Sequence, residues 1–179
     1  ANKGFALENG GYYWAINDYM DLQVMGDIYS RGSWAIRPNF NYKKRYKFNG
    51  NLTFGVARNI IGTKGAPDYS NTMDYKIGWN HRQDPKARPR STFSANVNIL
   101  TRNYVTYNTV NIDDYLSNEF QSSIAYQTNW ANKYFLTLNT SFRQNTKTHQ
   151  VNLNLPEITF TVNQFFPLRR DGGGKKRFY

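Results

Sequence analysis

Apolar and polar residues alternate strictly along most of this chain, and the alternation limits the folds open to it. From Tyr46 to Ala57 every second residue is aromatic, aliphatic or glycine, and the residues between them are mainly Asn, Thr and small residues. The segment from Ser33 to Tyr42 repeats the pattern. Because successive side chains of a β-strand point to opposite faces, this period predicts strands whose two faces meet different surroundings.

The same period recurs along the rest of the sequence and predicts about nine or ten strands in all. Turn-forming sequences such as Asn17-Asp18 and Ser30-Arg31-Gly32 separate them, and short turns join neighbouring strands as antiparallel hairpins. No segment has a convincing helical period, and the stretch from Leu100 to Asn118 is predicted to be a long connection. The alternating segments are Gly11–Ile16, Leu22–Ile28, Ser33–Tyr42, Tyr46–Ala57, Met73–Trp79, Phe93–Ile99, Phe120–Tyr126, Tyr134–Phe142, Val151–Leu155 and Ile158–Val162.

Composition excludes several classes of protein. The chain has 179 residues and no Cys, so disulfide scaffolds and cysteine-ligated metal sites are ruled out. No run approaches the ~20 apolar residues of a membrane-spanning helix. A total of 14 Tyr, 12 Phe and 4 Trp argues against disorder. The net charge is +11, but the Lys and Arg residues lie mostly in the connections, so no nucleic-acid partner is predicted.

The polar side of the strands is mostly uncharged, which separates two classes of all-β protein. The outer face of a water-soluble sandwich meets bulk water and is usually rich in Lys, Glu and Asp. Here that side carries neutral hydrogen-bonding residues such as Asn49, Asn51 and Thr53. Such side chains suit a wet, confined lumen. The sequence therefore favours a membrane β-barrel, with a soluble β-sandwich as the alternative.

Aromatic residues stand at both ends of the third predicted strand. Trp34 lies at one end, and Phe40, Tyr42, Tyr46 and Phe48 gather around the hairpin at the other. The strand from Trp34 to Tyr42 rises about 21 Å when tilted by about 40°, close to the ~25 Å apolar band of membrane barrels. These residues are therefore predicted to belong to an aromatic girdle at the membrane interfaces.

The predicted fold is an all-β, antiparallel transmembrane β-barrel segment. An open sheet edge in hydrocarbon leaves costly unpaired backbone groups, so the strands must close on themselves or on further chain. The strands occupy residues 1–168, and residues 169–179 are predicted to be a basic, glycine-rich loop or tail. Because the sequence ends in that segment and not in a strand, we expect the strands to belong to a larger barrel.

A family resemblance supports this interpretation. The stretch GGYYWAINDYMDLQVMGDIYSRGSWAIRPNFNYKK, Gly10 to Lys44, contains a Tyr-Ser-Arg-Gly turn at Tyr29–Gly32. It resembles the opening of the barrel in the LptD family, and the likeness continues in Met73–Asp84 and Ser141–Leu168. The resemblance implies the first third of a very large barrel in the outer membrane of a Gram-negative cell.

The resemblance also implies a function without bond chemistry. The protein would insert lipopolysaccharide into the outer leaflet through a lateral gate between the first and last strands. Its partners would be lipopolysaccharide, membrane lipid, an LptE-like plug lipoprotein and the periplasmic Lpt bridge proteins. The gate-side strand would consist of Gly11, Tyr12, Tyr13, Trp14, Ala15 and Ile16.

This sequence departs from the family pattern in two respects. Well-known members carry disulfides, which a chain without Cys cannot form. They also weaken the first two strands with prolines, whereas the nearby strand proline here is Pro38, in the third. Gly10 and Gly11 are candidates to loosen the first strand instead, because glycine inside a strand lacks packing and costs entropy.

Two basic clusters lie at hairpin ends. Lys and Arg pair well with phosphates, so the denser cluster is a candidate contact for lipid A phosphates. A solvated turn that prevents edge-to-edge aggregation explains the same residues. The denser cluster is Lys43, Lys44, Arg45 and Lys47, and the second is Arg82, Lys86, Arg88 and Arg90.

The sequence predicts no catalytic activity, no metal site and no cofactor. His81 and His149 are isolated from supporting acidic ligands, and no nucleophile elbow, phosphate loop or HExxH is present. An enzyme would need Ser70 or Asp74 beside His81.

Two alternative functions remain open. One is a soluble all-β glycan-binding module, in which Trp14, Trp34 and Trp79 would be ligand platforms. The other is another outer-membrane barrel, porin-like or a receptor. A single-strand nucleic-acid platform at Tyr42–Phe48 is not favoured, because the alternation there fits lipid better.

Overall fold

The computed structural model describes residues 3–108, 119–148 and 150–163. Nine β-strands form a single sheet, in agreement with the predicted all-β fold. A short helix, α1, lies between β6 and β7. The elements are β1 (Ala6–Asn17), β2 (Met20–Tyr29), β3 (Trp34–Lys44), β4 (Phe48–Ile61), β5 (Ser70–Gln83), β6 (Ser91–Leu100), α1 (Arg102–Asn108), β7 (Glu119–Trp130), β8 (Tyr134–Asn145) and β9 (Gln150–Val162).

The sheet is a meander in which each strand pairs with the next along the chain. The order is β1 to β9, and every neighbouring pair is antiparallel. β1 and β9 form the two edges. Because the strands in the described ranges number nine, these edge strands run in the same direction. Closure by antiparallel pairing therefore requires an odd number of further strands.

The register separates an apolar face from a polar face. Directly paired residues share a face, and one row across β3 to β6 consists of Phe40, Leu52, Trp79 and Val97. A neighbouring row on the other side consists of Asn39, Thr53, Gly78 and Asn98. We call the first side the apolar face and the second the polar face. The faces predicted from the alternation are thus the faces that the strand pairing produces.

The apolar face lies open and is not packed into a core. Leu52 is 44% exposed, Phe54 41% and Ile77 39%. By contrast, the largest fully buried side chains in the described ranges are the polar Asn59 and Ser33. A soluble sandwich would cover these apolar residues with a second sheet. The single sheet formed by the described strands leaves them available to hydrocarbon.

The helix α1 lies in the connection for which the sequence predicted no helix, so that prediction was wrong at this point. The helix has only seven residues, too few for a recognisable period. Isolated helices of this length are unstable in water, and tertiary contacts must hold them. Tyr104 is buried with Ala35 and Ala57, and Val105 is buried with Leu100 and Phe120. Among the described helices, none is long and apolar enough to cross a membrane.

Two predicted strand boundaries also change. Tyr46 was predicted to begin a strand, but it lies in the β3–β4 turn with a left-handed φ of 60°, outside the β region that regular strand residues adopt. The two predicted strands between Val151 and Val162 are one strand, β9, with a register shift opposite Asn139 and Ser141. A bulge there accommodates Pro156, which has no N–H to donate. The predicted tail 169–179 and His149 lie outside the described residues.

Candidate functional site

An ion pair on the polar face ties the first three strands together. The Arg37 guanidinium, on β3, is hydrogen bonded to the Asp27 carboxylate on β2. The same guanidinium donates to Asn9 Oδ1 at 3.2 Å, and the Asn9 N–H donates to the Asp27 carboxylate at 2.8 Å. Asn9 has a left-handed φ of 57° and lies in a register shift of β1. The bulge therefore turns the backbone of the edge strand towards the ion pair.

A second polar network is buried where α1 covers the sheet. The Asp74 carboxylate, 3% exposed, accepts hydrogen bonds from Asn59 Nδ2 at 2.8 Å, Thr72 Oγ1 at 2.9 Å and Thr101 Oγ1 at 3.2 Å. A buried carboxylate needs such donors, because its desolvation would otherwise be costly. The network connects β4 and β5 to the residue that precedes α1.

Lys3 extends this network to the segment that leads into β1. Its Nζ donates to Asn59 Oδ1 at 2.8 Å and to the Tyr107 carbonyl, at the end of α1, at 3.1 Å. Burial lowers the pKa of the Lys3 ammonium, although the carboxylates of Asp27, Glu8 and Asp74 act in the opposite direction. The partly desolvated cation thus joins the helix and the sheet to the start of the edge strand.

The helix is seated on the polar face through Tyr104. Its ring lies over Gly55, where a Cβ atom would overlap it. Ala35 and Ala57 form the rest of this shallow recess. The recess was not predicted, because small residues at alternating positions also fit an ordinary barrel wall.

We expect Gly55→Ala to detach α1 without unfolding the sheet. The added methyl group overlaps the Tyr104 ring, and overpacking of this kind costs about 1–3 kcal/mol. Backbone amides of α1 should then exchange about tenfold faster or more, while those of β4 stay protected. Gly78→Ala is the matched control, because a Cβ at Gly78 meets Thr53 Cβ at an ordinary 3.6 Å. Equal exchange in both variants would contradict the proposed seat.

Aromatic side chains gather at one end of the apolar face. Tyr42 Oη accepts a hydrogen bond from Trp79 Nε1 at 3.0 Å and is hydrogen bonded to His81 Nδ1 at 2.8 Å. The Tyr42 ring lies 5.9 Å from that of Phe40 and 6.0 Å from that of Phe48. Rings whose polar atoms are paired suit a boundary between hydrocarbon and water. We call these residues the aromatic cluster.

The predicted girdle residues are thus placed in three positions. Phe40, Tyr42 and Phe48 belong to the aromatic cluster, and Trp34 starts the same strand at its opposite end. Tyr46 lies beyond the cluster in the β3–β4 turn. The contributions of Trp79 and His81 were not predicted, because they come from β5 and become neighbours only through strand pairing.

The structure brings three residues of the denser basic cluster and Arg82 of the second to one cleft, whereas Lys47, Lys86, Arg88 and Arg90 do not line it. An open cleft of about 340 Å³ lies between the β3–β4 and β5–β6 turns, and Lys43, Lys44, Arg45 and Arg82 line it. The two turns are joined where the Asp84 N–H donates to the Lys47 carbonyl at 2.8 Å. We call this space the hairpin cleft.

The candidate gate strand lies inside β1 and has one paired side. Its residues pair with β2 from Gly11 opposite Met25 to Ala15 opposite Asp21. Gly10 stands directly opposite Gly26, so neither strand places a side chain there. An apolar groove of about 410 Å³ at this point is lined by Leu7, Ile28, Trp34 and Ile36, among others.

The residues considered for catalysis do not converge. Asp74 and His81 lie on opposite faces of β5, and Ser70 lies at the far end of that strand from His81. Within the described ranges, no group of three or more His, Asp or Glu residues is placed to hold a metal ion. Of the tryptophans considered as glycan platforms, Trp14 lies opposite Leu22 and Trp79 lies between Leu52 and Val97, whereas Trp34 lies between Ile28 and Arg58.

The fold and its surfaces define a class of protein. A meander sheet with an exposed apolar face, a polar opposite face and aromatic residues at the boundary is a segment of a membrane β-barrel wall. A family model described as LptD protein matches residues 1–179, so the chain belongs to the LptD family, which consists of outer-membrane proteins of lipopolysaccharide transport. No curated protein and no solved structure matches the chain.

Proposed function

We propose that this chain forms part of the wall of an outer-membrane barrel that inserts lipopolysaccharide into the outer leaflet through a lateral gate. The observation that carries the proposal is the division of one sheet into an exposed apolar face and a hydrogen-bonding polar face. The first suits contact with hydrocarbon, and the second suits a sugar chain in a wet lumen. Residues 1–168 would belong to this wall.

The gate is proposed at β1, with Gly11, Tyr12, Tyr13, Trp14, Ala15 and Ile16 as its strand. Every described residue of β1 is exposed, since the strand has a neighbour on one side alone. The pairing of Gly10 with Gly26 supports a weak attachment of β1 to β2 at this position, because facing glycines contribute no cross-strand side-chain contact. The adjoining groove of about 410 Å³ has a mainly apolar lining, which suits an acyl chain.

The remaining assignments follow from position. The aromatic cluster, with Trp34 and Tyr46, is proposed to lie at the membrane interfaces, and Lys43, Lys44, Arg45 and Lys47 are proposed to meet lipid A phosphates. An LptE-like plug lipoprotein would face the part of the polar face that α1 leaves open. Periplasmic Lpt bridge proteins would deliver the lipid.

A pulse-chase cross-linking experiment in the native host tests the gate. A photoreactive amino acid is placed at Tyr12 of β1 in one strain and at Tyr126 of β7 in another, both on the apolar face of the full-length protein. Newly made lipopolysaccharide should cross-link early at position 12 and disappear from it during the chase. Position 126 should gain signal only later in the chase, as labelled lipid that has been exported accumulates in the leaflet around the barrel.

Two outcomes would count against the proposed function. Identical time courses at both positions would show that β1 is no exit route. Unchanged surface lipopolysaccharide after depletion of the protein would remove the export role itself.

A further inference from the structure

We propose that the hairpin cleft binds a phosphomonoester group on the head of a glycolipid, with Lys43, Arg45 and Arg82 as its contacts and Tyr46 as a positioning residue. The inference deepens the proposed function and rests on it for the source of the ligand. Its basis is that two turns far apart in sequence supply the walls of one cleft.

The excess positive charge of the hairpin cleft favours a ligand with more than one negative charge. Four cationic side chains line the cleft against the single carboxylate of Asp84. That carboxylate is already engaged, since its Oδ1 accepts the Lys86 N–H at 2.8 Å. A phosphomonoester carries about −1.5 to −2 at neutral pH and offers three acceptor oxygens. It therefore matches the excess positive charge better than a phosphodiester with a single charge.

Tyr46 organises the cations around the cleft. The Arg45 guanidinium lies 4.8 Å and the Lys86 ammonium 5.2 Å from the centroid of its ring. Cation–π attraction holds such groups in place, although two like charges near one ring repel each other. Tyr46 also has a left-handed φ of 60°, which is energetically unfavourable for a bulky residue. Backbone strain of this kind is concentrated at ligand sites.

The position of the cleft favours a lipid over a soluble phosphate. Phe48 lines the cleft and also belongs to the aromatic cluster, its ring 6.0 Å from that of Tyr42. The cleft thus opens where the apolar face ends. A lipid whose chains lie along β3 and β4 would place its head group between the two turns.

Lipid selectivity measured by electron paramagnetic resonance tests the site. The full-length protein is reconstituted in phosphatidylcholine vesicles with a spin-labelled glycolipid, either bisphosphorylated or dephosphorylated. Spin-labelled phosphatidylglycerol serves as the phosphodiester probe, and added inorganic phosphate tests a soluble ligand. We expect preferential association of the bisphosphorylated glycolipid, lowered about tenfold in Arg45→Gln and in Arg82→Gln.

Matched variants distinguish specific binding at the hairpin cleft from nonspecific attraction by positive charge. Lys133→Gln removes one positive charge from the β7–β8 turn and should leave the selectivity within about twofold of the original. Tyr46→Phe keeps the ring and should retain selectivity, whereas Tyr46→Ser should lose it. Folding of each variant is checked by its heat-dependent migration on gels.

These measurements distinguish failure of the proposed phosphate site from failure of the proposed export function. Equal losses in Arg45→Gln and Lys133→Gln, or equal association of phosphatidylglycerol, would overturn the proposed site, and so would displacement of the lipid by inorganic phosphate alone. If the lipid selectivity contradicts the site but the pulse-chase time course at Tyr12 is as expected, the proposed export function is still supported. If the lipid selectivity is intact but depletion of the protein leaves surface lipopolysaccharide unchanged, the proposed export function is wrong and the phosphate site is still supported.

Discussion

Replacing Phe54 by Lys is expected to destabilise the protein in a bilayer by about 2–4 kcal/mol, the cost of a Lys at the midplane of a barrel's lipid face. Phe54 is 41% exposed and lies halfway along β4, on the apolar face beside Ile77. Its environment in the proposed barrel is hydrocarbon, where the ammonium finds neither water nor a counter-charge. Urea unfolding of the protein in phospholipid vesicles gives the free energy directly.

Thr53→Lys is the matched control at almost the same height on the polar face. It removes the hydrogen bond that Thr53 Oγ1 donates to Asn39 at 3.0 Å, worth about 1 kcal/mol. The polar face already carries a Lys one strand away, Lys76, paired opposite Gly55. Similar costs for both substitutions would mean that both faces meet water, and the membrane interpretation would fail.

The second large effect is expected at the ion pair on the polar face. Arg37→Leu should destabilise the fold by about 2–3 kcal/mol, because it leaves the Asp27 carboxylate without its cation. The Asp27 side chain is only 9% exposed and the Arg37 side chain 22%, so solvent screens the pair incompletely. Among the described residues, the remaining hydrogen-bond donor to this carboxylate is the Asn9 backbone N–H.

A double-mutant cycle isolates that interaction. Asp27→Asn combined with Arg37→Leu removes both charges and should recover at least half of the loss, measured by the same urea unfolding. Strictly additive effects would show that the two side chains do not interact. Because Asn9 belongs to β1, Arg37→Leu should also speed amide exchange in the edge strand.

Strand identity and facing could be predicted because they depend on local sequence. A period of two assigns each side chain to a face without knowledge of its neighbours. The prediction for Ser33–Tyr42 needed nothing beyond these residues, and β3 spans Trp34–Lys44. Local alternation was misleading at two points, because it extended the strand to the turn residue Tyr46 and divided β9 at Pro156.

Pairs of residues distant in sequence could not be predicted in this way. Lys3 reaches Asn59 and Tyr107 across the polar face, and α1 packs on the sheet where Gly55 leaves room for Tyr104. Between β6 and β7 the ladder stops at Asn96, and the Ser122 hydroxyl bonds the backbone of Asn98 instead. No local pattern encodes such side-chain substitutes for strand pairing.

Alternation along the chain was therefore sufficient for the all-β class and for the sidedness of the regular strand segments, because backbone geometry repeats every two residues, and the uncharged polar side added the preference for a barrel. Three-dimensional folding decided which of those residues meet: the two basic turns at the hairpin cleft, the aromatic cluster of β3 to β5, and the networks under α1. Strand register and the path of α1 create these contacts, and both depend on the energy of the whole sheet.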